Sequence, residues 1–278
     1  MTRSVAHTAR AQAVLEGGGV PVHRAFPAPG LDQVDPFLLF DHMGPFEVGP
    51  GNAKGFPDHP HRGFETVTYM LAGEFEHADS AGNRGRIETG GAQWMTAGDG
   101  LVHSEMPARR LLEEGGTLEG VQIWVNLPRS HKRIAPRYQD VAPDDIPTVE
   151  VPGGSVRVVS GRAFDVSGPA STHSPILLLH VRLEPEASLA IPAPREHNAL
   201  AVRLRGTDAN VLTVYAPDDD EIVLDGGRAG TEALVLVAEP LREPVARAGP
   251  FVMNTRNELL EAFDDYEAGR LGRIPAQQ

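Results

Sequence analysis

Glycine and proline occur so often in this chain, 30 and 24 times in 278 residues, that its apolar runs stay at the length of a strand. The runs TVTYML, GVQIWVNL, SVRVVS, PILLLHVRL, LAVRLRG, NVLTVYA and ALVLVAE are rich in Val, Leu, Ile, Thr and Tyr. Each is bounded by Gly, Pro, Asp or Asn, the residues that turn a chain. Many short strands with frequent turns predict a β-sandwich or barrel rather than alternating strand and helix units. One helix is expected near the C-terminus, in NTRNELLEAFDDYEAGRLG. There Thr255 and Glu258 have capping-box spacing, Leu259, Leu260, Phe263 and Tyr266 form an apolar stripe, and Gly269 or Gly272 ends the segment. A shorter helix is expected in ARRLLEEG after Pro107.

The segment QDVAPDDIPTV, from Gln139 to Val149, carries three acidic residues, two prolines and no strong period. It is the expected boundary between two β-rich halves, 1–138 and 139–278. The halves echo one another faintly: HPHRGFETVTYMLAG from His59 and PAPREHNALAVRLRG from Pro192 each end a strand pattern in a glycine turn. Superposed on those glycines, Pro192 and Pro194 fall at His59 and His61, and Asn198 falls at Glu65.

Composition narrows the chemistry. A formal net charge of −13 argues against direct nucleic-acid binding through phosphate neutralisation. The absence of cysteine removes disulfides, thiolate metal sites and thiol nucleophiles, so any metal must take imidazole or oxygen ligands. No signal-peptide core and no membrane-length apolar run is present, which predicts a cytoplasmic protein.

The histidines are the main functional signal, eight of the 11 preceding residue 132. Side chains at i and i+2 of a strand share a face, about 7 Å apart. In FPDHPHRGFETVTYM this puts His59, His61, Gly63, Glu65, Val67, Tyr69 and Leu71 on one face of a regular strand, with Asp58, Pro60 and Arg62 on the other. Gly63 is where the strand can bend, which makes Glu65 the least secure member. A second i, i+2 pair, His103 and Glu105, follows the glycine turn in QWMTAGDGLVHSEMP. Either pair alone reads better as solvated polar residues on a strand edge than as a metal site. Together they favour a metal site, without naming a reaction.

At these residues the chain resembles the pirin family of the cupin superfamily. LDQVDPFLLFDHMGP, FPDHPHRGFETVTYML, GGAQWMTAGDGLVHSEMP, VQIWVNLP followed by PRYQ, and GPFVMNT carry the resemblance from about residue 31 to 257. It implies an all-β protein of two jelly-roll cupin barrels in tandem with a short C-terminal helix, and a metal in the N-terminal barrel alone. It implies His59, His61, His103 and Glu105 as metal ligands, with Glu65 as a reserve ligand or a support behind them. Iron(II) is the family's usual ion, and Ni, Cu, Mn, Co or Zn fit the same donors.

The resemblance also implies one of two roles. One is a dioxygenase that opens flavonols such as quercetin with O2 and releases CO, with Glu105 as ligand and proton acceptor. The other is a non-enzymatic metal-dependent regulator that binds a protein partner in transcription or metabolic control. The expected partner is therefore a small phenolic substrate or a protein. Gln122, Trp124 and Asn126 share a strand face; Gln122 and Asn126 are candidate cavity residues, while Trp124 is expected in the core. Asp41 and His42 read as a pocket pair or a buried turn, and Arg62 as a solvated charge or a gate. Asp99, in the glycine-rich turn, makes the approach to the metal more acidic. His77, His131, His173, His180 and His197 lack a partner at ligand spacing and are expected to be structural or exposed.

Overall fold

The structure, a computed structural model, describes residues 2–276. The chain forms two compact units that do not follow a single cut in the sequence. One, called here the histidine unit, comprises Ala13–Val22, Leu39–Pro143 and the chain from Arg242 onward. The companion unit comprises the N-terminal residues up to Gln12, His23–Leu38 and Asp144–Leu241. The expected division into 1–138 and 139–278 is thus corrected at both ends. The N-terminal strand Val5–Arg10 pairs with Val211–Tyr215 in the companion unit, while the C-terminal helix belongs with the histidines. The expected linker carries the strands Arg137–Val141 and Thr148–Val151, each an outer member of its own sheet.

The histidine unit has a seven-stranded sheet in the order Arg137–Val141, Ala92–Thr96, Phe64–Ala72, Gly116–Asn126, Phe37–Val48, Val20–Phe26, Gln12–Glu16. A four-stranded sheet has the order Phe56–His61, Leu101–Pro107, Phe75–Asp79, Arg84–Ile87. The companion unit repeats the large sheet position by position: Val5–Arg10, Val211–Tyr215, Asn198–Gly206, Thr231–Ala238, Ile176–Leu183, Gly154–Ser160, Thr148–Val151. Its second sheet is reduced to Ser188–Pro192 and Glu221–Asp225. The all-β tandem-barrel architecture expected from the sequence is observed, because glycine and proline turns allow antiparallel pairing between successive short strands.

The companion unit has one large, mainly aliphatic core, including Leu189, Ile191, Ala199, Ala201, Ile222, Leu224, Ala233 and Val235. The histidine unit divides its apolar residues among smaller clusters, one around Val20, Met43, Met70, Phe75 and Leu118, another around Phe251, Met253, Leu259 and Ala262. The second cluster seats the helix Arg256–Glu267. Its start is the predicted capping box: the Glu258 amide donates to Thr255 Oγ1 (3.3 Å), and the Thr255 amide donates to Glu258 Oε2 (2.8 Å). The apolar stripe is narrower than expected. Leu259 and Ala262 are buried and Phe263 packs against the cluster, whereas Leu260 and Tyr266 face solvent. The shorter helix is present as Arg109–Glu114. Among the described residues, no helix is long and apolar enough to cross a membrane.

Candidate metal centre

Two neighbouring antiparallel strands bring the histidines together. Phe56–His61 pairs with Leu101–Pro107 so that His103 stands opposite His59 and Leu101 opposite His61. Opposed residues of an antiparallel pair project to one face, and the i, i+2 relation puts His61 on the same face. The ring centroids lie 4.4 Å apart for His59 and His103, 4.6 Å for His59 and His61, and 5.0 Å for His61 and His103. One ring nitrogen from each lies within 4.8 Å of the other two, a spacing suited to a shared metal ion.

Hydrogen bonds fix which nitrogen is offered. His59 Nδ1 is 2.7 Å from the Pro57 carbonyl and His61 Nδ1 is 3.3 Å from the Pro250 carbonyl. A carbonyl only accepts, so each Nδ1 carries the proton and each Nε2 presents a lone pair. His103 is fully buried and neither ring nitrogen has a hydrogen-bond partner. Burial, followed by neighbouring His59, holds His61 well below the usual histidine pKa. Burial and then His59, His61 and His77 do the same to His103. Three ring nitrogens this close together, with Nε2 unprotonated on His59 and His61 and no competing partner on His103, are what a divalent ion requires, so the residues fit a metal.

Glu105 stands two residues beyond His103, across an irregularity in the strand pairing, and outside the three-histidine cluster. It is buried, and its carboxylate joins the two sheets: Thr68 Oγ1 donates to Oε1 (2.6 Å) and Gln122 Nε2 to Oε2 (2.9 Å). Gln122 in turn accepts from Trp124 Nε1 (3.3 Å). Trp124, expected in the core, is only half-buried; its ring lies 5.2 Å from His61 and 4.4 Å from Phe64, beneath the Arg247 guanidinium at 5.0 Å. Gln122 and Trp124 therefore line the site.

The other sequence candidates do not join the cluster. The strand that starts with His59 and His61 does not continue through Glu65. It stops at His61 and restarts at Phe64, with Gly63 at φ +87° between them. A Cβ at Gly63 would lie 2.0 Å from the Val252 carbonyl oxygen, so only glycine makes the step. The break inverts the alternation: Phe64 and Thr68 face the site, and Glu65 turns away to accept from Thr96 Oγ1 (2.6 Å). Burial there raises the Glu65 pKa. This corrects the shared face predicted for Glu65.

Arg62 is neither solvated nor a gate. It is 2% exposed and ion-paired with Asp265 at 2.7 Å. His42 is buried against Glu119 (3.1 Å), and buried Asp41 beside it also stays outside the cluster. Asn126 accepts from Lys132 Nζ (2.7 Å) rather than lining the histidines. Lys132 escaped sequence reading altogether. Its ammonium also reaches the Gly63 and Val252 carbonyls at 2.7 and 2.9 Å, and burial pulls it down to about 8. Asp99 lies half in solvent, paired with Arg133 at 3.1 Å. His77 is buried rather than exposed, stacked on Tyr138 with centroids 4.8 Å apart and opposite Glu105 in the strand register.

Comparison with known proteins agrees with this architecture. The Pirin family model matches residues 19–125, and the model of the Pirin C-terminal cupin domain matches residues 178–272. A Pseudomonas aeruginosa protein provisionally named quercetin 2,3-dioxygenase is 44% identical over 269 residues, which is 92% of this chain and 94% of that one. A pirin-like protein of Solanum lycopersicum is 40% identical over 281 residues, 97% and 93% of the two chains. The crystal structure of quercetin 2,3-dioxygenase from Acinetobacter baumannii matches with a TM-score of 0.93 at 35% identity, covering 99% of this chain and all of that one. The chain belongs to the pirin family, its two barrels are cupin domains in tandem, and its histidine cluster lies within the part matched by the first family model.

Proposed function

We propose that this protein is a non-haem metal-dependent dioxygenase able to cleave flavonols such as quercetin with O2, using Fe(II) held by His59, His61, His103 and Glu105. The observation that carries the metal is His103, a fully buried imidazole with no hydrogen-bond partner on either nitrogen, facing two histidines whose tautomers expose Nε2. The dioxygenase reading is supported by the names of the Pseudomonas and Acinetobacter relatives.

A divalent ion here supplies Lewis acidity that lowers the pKa of a flavonol 3-hydroxyl. Glu105 accepts that proton: each of its oxygens holds one hydrogen-bond donor, and a carboxylate has further lone pairs for a metal and a proton. Thr68 and Gln122 keep the carboxylate oriented during the transfer. Half-buried Trp124, beside His61 with Arg247 over its ring, would border a bound planar aromatic substrate. Ring opening then takes up O2 and expels one ring carbon as CO.

Anaerobic reconstitution with Fe(II), followed by simultaneous measurement of O2 uptake and CO release with quercetin, tests the reading. Equal amounts of both gases are expected, and Glu105→Gln should lower kcat at least ~10²-fold. A stoichiometric bound ion with no turnover for any divalent metal would sink the dioxygenase reading and leave a metal-dependent interaction protein.

A further inference from the structure

We propose that Asp265, on the C-terminal helix, is a positioning residue for the metal ligand His61, acting through Arg62 and the backbone of Pro250–Val252. The inference rests on the metal reading above.

The connection is continuous. His61 is oriented by the Pro250 carbonyl, the acceptor for its Nδ1 proton. Pro250 leads directly into the strand Phe251–Met253, which is tied to the chain just after His61. The Val252 amide donates to the Arg62 carbonyl (3.0 Å), and Phe251 and Arg62 form a parallel bridge. Lys132 Nζ clamps the Gly63 and Val252 carbonyls from a third side.

The Arg62 side chain closes the circuit. Its Nε donates to the Asp99 carbonyl (2.5 Å) and its NH1 donates to Asp265 Oδ2 (2.7 Å). Asp265 also accepts from Arg270 Nε (2.5 Å), which fixes the carboxylate from its outer side. The guanidinium is buried, so Asp265 is the carboxylate that neutralises it, and removing that charge leaves a buried cation unpaired. Arg62 must then shift, and its backbone is shared with His61 on one side and with the Val252 contact on the other. Groups that orient a metal-bound imidazole from behind change affinity and ligand-field properties as well as stability.

An ion pair that served only to hold the helix would affect stability alone. Co(II) titration of metal-free protein, followed by its visible absorption, separates the two roles when run beside thermal melting. Asp265→Asn should weaken Co(II) binding about 10-fold or more and alter the absorption bands. Asp265→Glu should restore much of both. Thr255→Ala, which removes the N-cap of the same helix without touching Arg62, should lower the melting temperature while leaving Co(II) affinity and spectrum unchanged. Unaltered Co(II) affinity and bands in Asp265→Asn would overturn the proposal. So would a loss of affinity that tracks melting temperature equally across all three variants. A parent protein that binds no Co(II) would instead overturn the metal reading itself, and this inference with it.

Discussion

The two barrels share one large-sheet order and differ in what the crossing strands present. In the histidine unit, Phe56–His61 and Leu101–Pro107 place His59 opposite His103. In the companion unit the corresponding pair, Ser188–Pro192 and Glu221–Asp225, places Ile191 opposite Ile222, both fully buried. On the adjoining large sheets, Thr68 faces Gln122 in one unit where Ala201 faces Val235 in the other. One interior is a polar cup closed by hydrogen bonds to Glu105, and the other is filled mainly by aliphatic side chains. The same large-sheet order thus accommodates a polar histidine cluster or an apolar core, according to which side chains face inward.

The largest effect is expected at the polar interior. His103→Ala removes a buried imidazole with no hydrogen-bond partner, a ligand in the proposed site, so bound metal should fall from stoichiometric to background while circular dichroism and apo-protein melting change little. Metal analysis of the purified variant checks this. Unchanged metal content would mean that the ion is held elsewhere and would erase the distinction between the interiors.

In the companion unit the opposite pattern is expected. Ile222→Ala deletes buried methyl and methylene groups and should cost about 2–5 kcal/mol of stability in denaturant unfolding. Its bound-metal equivalents should equal those of the parent. A loss of metal in this variant would show that the hydrocarbon core supports the site as well as its own barrel.

This division was only partly legible in the sequence. The i, i+2 spacing of His59 with His61 and of His103 with Glu105 is a local property, and strand alternation is enough to aim each pair. What failed was continuity through Gly63: local alternation assumes a regular strand, and a left-handed residue reverses every later side chain. Glu65 was misplaced for that reason. The echo between halves slipped similarly, because the exposed Pro192 was matched to His59 while the inward residues are Ile191 and Ala193. Arg62 with Asp265, Lys132 with Val252, and Val5–Arg10 with Val211–Tyr215 are contacts across more than 100 residues. Nothing in a local pattern encodes such pairings. They decide which terminus belongs to which barrel.

The smallest effect concerns acid, and it sharpens the comparison without any substitution. His61 and His103 are held well below the ordinary value of 6.5 in the folded protein, chiefly by burial. Below that pH the unfolded chain binds protons that the folded barrel refuses, so stability present above about 6.5 is lost as pH falls. In the companion unit, burial raises Glu232, but hydrogen bonds from His180 and Arg182 more than reverse this and hold it at about 2. Its contribution is present above the ordinary 4.5 and disappears only as pH falls toward about 2. His180 is also lowered by burial, but the same Glu232 opposes the shift. Hydrogen exchange on metal-free protein should therefore show strands Phe56–His61 and Leu101–Pro107 losing protection from near pH 6.5 downward. Strands Ile176–Leu183 and Thr231–Ala238, which carry one lowered histidine whose shift Glu232 opposes, should lose less protection over the same range and most of it only in the carboxylate range. Simultaneous loss in all four strands near pH 4.5 would show that the buried histidines do not set the acid limit of their barrel.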